Sequence, residues 1–120
     1  MTRAPLEDPR MDRCNFTFHH ETLDVYRLSV QAARLIRRAQ WPRRTAHLRD
    51  QAVRSSESMV LNIAEGVARG PGDARKNHHS LAFGSAAEAL AALDVVDLPN
   101  HDEIDQLLRR IGAMLNVMTR

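Results

Sequence analysis

Residues 45–73 read TAHLRDQAVRSSESMVLNIAEGVARGPGD, and this stretch decides the fold. Leu48, Ala52, Ser55, Met59, Ile63 and Val67 recur at helical spacing, with Ser56 and Val60 widening the stripe. The spacing predicts a helix over about 45–68 that tolerates Gly66 near its end. RGPGD then stops it, with two glycines and a proline in five residues. One feature does not fit a plain amphipathic helix. Ser58, Asn62 and Glu65 form a polar stripe about 130° from the centre of the apolar face, at roughly 100° per residue.

Working outward, Val25, Leu28, Ala32, Leu35, Ile36 and Ala39 predict a preceding helix over about 21–40. Thr17 or Asn15 offers it a cap. Trp41-Pro42 ends it, because a residue before proline avoids helical angles. Downstream, Asp73 reads as the cap of a helix over about 73–96, broken by DLPNH. Asn100 or His101 precedes a fourth helix. Its first turn carries Asp102, Glu103 and Asp105, which suit the positive end of the helix dipole. Ile104, Leu107, Leu108, Ile111, Met114, Leu115 and Met118 form its inward face. No segment alternates like a strand. The expectation is an all-α, antiparallel up-down-up-down four-helix bundle over residues 19–120, with residues 1–18 as a flexible arm.

A chain of 120 residues with 43% hydrophobic content suits one domain. It buries enough surface to need no staples. The single cysteine, Cys14, permits no internal disulfide and fits a reducing cytoplasm. No apolar run approaches the ~20 residues of a membrane span. The N-terminal segment lacks the apolar core of a secretory signal. Localisation is expected to be cytoplasmic, with no membrane partner.

The third helix is apolar on more than one side. Phe83, Ala86, Leu90 and Leu93 make one face. Leu81, Gly84, Ser85, Glu88 and Ala92 make the nearly opposite, small and partly polar one. A helix apolar all round is surrounded, so another copy of the chain is expected to cover it, with Leu81, Phe83 and Leu90 at the contact. Ser85 and Glu88 are expected to meet Ser58, Asn62 and Glu65 in a hydrogen-bonded seam that fixes register. Gly84 would let the backbones approach, and Glu65 and Glu88 call for a counter-charge such as Arg69.

Residues that carry chemistry are scarce. No glutamate has a histidine three residues later, as a di-metal bundle requires. His19-His20 and His78-His79 are adjacent rather than four apart, so neither pair grips one metal. No Gly-x-Ser-x-Gly elbow occurs, and ARGPGDARK lacks the Gly-Lys-Ser/Thr ending of a phosphate loop. No catalytic residue, metal, cofactor or small-molecule substrate is expected.

Charge is distributed unevenly although the net is only +2. Residues 27–54 hold Arg27, Arg34, Arg37, Arg38, Arg43, Arg44, Arg49 and Arg54 against one acid, Asp50. Residues 77–108 hold Glu88, Asp94, Asp97, Asp102, Glu103 and Asp105 and no Lys or Arg. Arginine's planar fork suits phosphate. Arg34, Arg37, Arg38, Arg43, Arg44, Arg49 and Arg54 therefore read as a nucleic-acid surface, as a patch that docks on a neighbour's acids, or as a solvated face. With no aromatic platform beside them, sequence-specific single-strand stacking is not expected.

The sequence resembles the four helix bundle protein family, also called the ribosomal RNA intervening-sequence protein family. The resemblance spans Leu23–Met118, through LDVYRLSVQAARLI, WP, LRDQAVRSSESMVLNIAEGVARG and LAFGSAAEAL. Its most specific elements are Ser58, the run Asn62-Ile63-Ala64-Glu65-Gly66, Arg69, and Gly84-Ser85 with Glu88. Val60 stands where the family commonly has proline, which implies a straighter second helix. The resemblance implies a bacterial, cytoplasmic four-helix bundle assembled as a homopentamer. In a related branch, which serves reverse transcriptases, a basic surface contacts nucleic acid. The expected function is that of a non-enzymatic oligomeric bundle using its arginines on RNA or on a nucleic-acid-handling protein. The competing expectation is a purely structural ring whose arginines pair with the neighbour's acids.

Overall fold

The computed structural model describes residues 14–120. The proposed arm falls outside the described residues as far as residue 13. Among those described, regular structure consists of a 3-10 turn, His19–Thr22, and four helices: α1 (Asp24–Arg38), α2 (Ala46–Ala68), α3 (Asp73–Asp94) and α4 (His101–Met118). Each helix packs on its neighbours in chain order, and α4 closes the ring against α1. Contacts run in antiparallel register. Asn62 meets His78, Ser58 meets Ser85 and Ser55 meets Glu88 in turn across α2/α3, and Asp94 meets His101 while Phe83 approaches Gly112 across α3/α4.

The helix ends differ from the sequence expectation for identifiable reasons. The first helix starts at Asp24 rather than Glu21, because the Glu21 carboxylate turns back to accept the Phe18 N–H at 2.8 Å and closes the 3-10 turn. Neither Thr17 nor Asn15 caps it; Leu23 holds the cap position. The helix ends at Arg38, where Ala39 turns extended. Two side chains satisfy carbonyls in this last turn. Trp41 Nε1–H donates to the Ile36 carbonyl at 3.1 Å, and Arg49 donates to that of Arg37 at 3.2 Å. Gly72, not Asp73, is the cap of α3, at a φ of 134° that favours glycine. The α3 helix stops at Asp94, short of the expected Val96. Arg75 closes the other side of that turn, donating to the Gly66 and Val67 carbonyls at 3.3 and 2.9 Å.

The core is asymmetric. Ile36, Met59, Ile63, Leu93, Ile104, Ile111 and Leu115 are fully buried. The α3 side that faces them is mostly small: Ala82, Ala86, Ala89 and Ala92, with His79. This corrects the expected faces of α3. Phe83 is 41% exposed and Leu90 only partly buried against the core, whereas Ala92 is buried. Small residues win the inward position because α2 offers Ser55, Ser56 and Gly66 there, and a Phe ring would hold the two backbones apart. Gly84 is not the close-approach glycine, since a Cβ there would meet nothing within 4 Å. That role belongs to Gly66, whose Cβ would lie 2.9 Å from the His79 ring.

His79 is buried, and neither ring nitrogen has a hydrogen-bond partner. Burial pushes its pKa below the ordinary 6.5, and the Arg75 and His78 charges push the same way. The Ile63 carbonyl, which opposes them, falls short of hydrogen-bond geometry. The folded state therefore binds this proton less readily than the unfolded chain. Its contribution is complete above pH 6.5 and is lost as pH falls through the lowered folded value. His101 works oppositely. Its bond to Asp94 raises its pKa, so its contribution is present below 6.5 and lost as pH rises through the raised value. The expected result is a urea midpoint that drops from pH 7.5 to pH 5, with His79→Leu flattening that drop. An unchanged acid limb in the variant would refute the assignment.

Candidate nucleic-acid interface

The outer face of α1 carries Arg27, Gln31, Arg34 and Arg38 at successive helical turns, beside Tyr26 and Leu35, along a shallow open groove. Beyond the end of the helix, the tight turn before α2 presents Arg43 and Arg44. Thr45 Oγ–H donates to the Pro42 carbonyl at 2.5 Å and closes this turn. Arg44 sits at φ 67°, a left-handed conformation that costs an L-residue about 1–2 kcal/mol.

The structure sorts the seven predicted arginines. Arg37 is paired with Glu57. Arg49 caps α1 through the Arg37 carbonyl and lies 3.9 Å from Asp50. Arg54 donates to Gln51 at 3.3 Å. Arg34, Arg38, Arg43 and Arg44 have no hydrogen bond or ion pair among the described residues. These four are the basic groups available to a ligand; Arg27 beside them is exposed but paired with Asp24 at 2.5 Å. Because Arg49 closes a helix, a substitution there mixes stability with binding.

The polar seam forms, with one partner rearranged and one added. Ser85 donates to Ser58 Oγ at 3.0 Å, and the Asn62 amide donates to the same oxygen at 3.2 Å. Glu88 does not share a charge centre with Glu65; it accepts from Ser55 at 2.5 Å. Glu65 pairs with Arg69 at 3.0 Å, as its charge required. His78 completes the line. Its Nδ1 lies 3.0 Å from Asn62 Oδ1, which makes it the donor, and its Nε2 lies 4.0 Å from Glu65. Position 78 was invisible to the sequence reading because an adjacent histidine pair was weighed only as a metal grip. The pair in fact splits, His78 to the seam and His79 to the interior. Each seam residue has at least one hydrogen-bond or ion-pair partner, so the seam pins the register of α2 against α3.

Leu81 and Phe83 are both substantially exposed, Phe83 along the α3/α4 groove with Gly112 and Ala113. Leu61, Val95 and Val117 add further exposed apolar area. At the α3/α4 junction, Asp94, His101 and Asp105 bring ligand atoms within 4.8 Å of one another. His101 already bonds Asp94 at 3.2 Å and Arg109 holds Asp105 at 2.9 Å, so the group is internally compensated.

The expectation of no aromatic platform is overturned. Phe16, Phe18, His20 and Tyr26 form a continuous chain of rings. Centroids lie 5.2, 5.8 and 4.5 Å apart, and the chain leads into the Arg27–Arg38 groove. The sequence signal was present in FTFHH, but assigning residues up to 18 to a formless arm hid it.

No helix among the described residues is long and apolar enough to cross a membrane. The family model described as 23S rRNA-intervening sequence protein matches residues 21–117. The chain belongs to that family. No curated protein matches the chain.

Proposed function

From that membership as premise, we propose that the protein is a non-enzymatic, cytoplasmic, bacterial bundle that assembles with copies of itself, expected to be five, and offers a basic surface to RNA. The observation that carries this reading is the set of arginines with no partner among the described residues, Arg34, Arg38, Arg43 and Arg44, along and beyond α1 in a family described by its link to 23S rRNA. Uncompensated guanidinium groups in one strip attract phosphate and release counterions when they bind it. The seam, with all partners supplied internally, does not compete for this role.

The test is salt-dependent RNA binding. Wild-type affinity is expected to fall steeply between about 50 and 200 mM salt. Replacing Arg34, Arg38 and Arg43 with glutamine is expected to lower the slope by about two to three. An unchanged slope in the triple variant would remove the arginine surface from the reading.

A structural ring is favoured by a separate observation. Leu61, Leu81, Phe83, Val95 and Val117 are exposed, and acids cluster at the α3/α4 junction. In that reading the α1 arginines dock on the neighbour's Asp94–Asp105 region. The same triple variant would then dissociate in light scattering, with no RNA affinity to lose.

A further inference from the structure

We propose that the RNA held at this surface is single-stranded, with its bases stacked on Phe16 and Phe18 and its phosphates on the α1 arginines. This inference rests on the RNA reading above and goes beyond it by naming the form of the nucleic acid and the residues that select it.

Phe16 and Phe18 are 72% and 59% exposed, an unusual state for two phenylalanines two residues apart. Phe18 is nevertheless held in place. The Phe18 N–H donates to the Glu21 carboxylate at 2.8 Å, and the Phe18 carbonyl accepts from the Glu21 N–H at 3.0 Å. The Thr22 hydroxyl closes the same turn on His19 at 2.8 Å. The turn itself packs against both α1 and α2. The Phe18 ring is thus presented to solvent on a fixed base, and the Phe16 ring meets it edge-on at 5.2 Å.

Their neighbours set what they can bind. Phe18 stacks on His20 with planes 28° apart, and His20 meets Tyr26 edge-on at 4.5 Å. Tyr26 lines the same groove as Arg27, Arg34 and Arg38. From Tyr26 to Arg38 the helix rises about 18 Å at 1.5 Å per residue. An aromatic patch therefore stands at one end of a basic strip several nucleotides long. That combination is the physical signature of single-strand binding: charge tracks the backbone while π-faces accept unpaired bases. A duplex hides its base faces and has no use for the rings.

The test uses the full chain with a fluorescein-labelled, unstructured RNA of about twelve nucleotides, within the site sizes known for such surfaces. The same strand annealed to its complement is measured in parallel. Phe16→Ala with Phe18→Ala is expected to weaken single-strand binding by about tenfold or more. Duplex binding and the salt slope should not change. Phe18→Trp is expected to keep the affinity and to show indole fluorescence quenched by the single strand only. Arg34→Gln with Arg38→Gln is expected to weaken both forms and flatten the salt slope by about one to two units. Equal affinity of wild type and the double alanine variant for the single strand would overturn the inference while leaving the arginine reading intact. So would a change in mass by light scattering with no change in RNA affinity, which would make the two rings a contact between copies. Wild-type protein that binds neither RNA form at low salt would bring down the RNA reading, and this inference with it.

Discussion

Alanine at Gly66 is expected to destabilise the protein by about 2 kcal/mol, within the range for overpacking a closed interior. The sign is the informative part. Gly66 lies inside α2, where alanine would ordinarily gain about 0.5–1 kcal/mol over glycine. Here the added methyl would stand 2.9 Å from His79 Cδ2, 3.0 Å from His79 Nε2 and 3.0 Å from His78 Cβ. None of these atoms is the far end of a flexible chain. The His79 ring is buried, and the His78 position is fixed by its bond to Asn62. A thermal melt should show the midpoint falling by about 10 °C. Adding His79→Ala to the same chain should make the glycine substitution far less costly, because the ring it strikes is gone. A double-mutant cycle with no coupling would show that the close approach is unimportant.

On the other side of the core the vulnerability is reversed. Ile111→Ala is expected to cost about 2–5 kcal/mol, measured from urea midpoints, with Ile111→Val costing about 0.5–1.5. Ile111 is fully buried and shares its cluster with Ile36, Ile104, Leu108 and Leu115. These large residues come mostly from α4. A cost below 1 kcal/mol for the alanine variant would mean that this half is loosely filled. Taken together, the two substitutions describe a bundle that cannot accept a methyl at α2/α3 and cannot lose methyl groups at α4.

The four helices and their order were legible because the apolar periodicity of α1, α2 and α4 is strong and the RGPGD turn is unambiguous. The seam was legible for a different reason: Ser58, Asn62 and Glu65 line up on the flank of the α2 apolar face, and Ser85 and Glu88 lie on the small face of α3. The orientation of α3 was not. Its apolar residues surround the helix, so periodicity cannot rank alanine against phenylalanine for the interior; the close approach permitted by Gly66 does so. Nor did charge counting reveal which arginines are committed. Arg49 and Arg75 both serve helix carbonyls, one twelve residues and the other eight to nine residues away along the chain. That use depends on tertiary geometry. The aromatic chain escaped for a different reason, since rings that adjoin α1 in space belong to a segment before it.

The Gly70–Gly72 turn also has a kinetic meaning. It joins the two longest helices through four residues, so the most extensive interface in the molecule is also among the cheapest to close. Assembly is expected to nucleate at this hairpin, with α1 and α4 condensing on it afterwards. Stopped-flow measurements should then find that a lesion at Gly66 retards folding, whereas one at Ile111 mainly hastens unfolding.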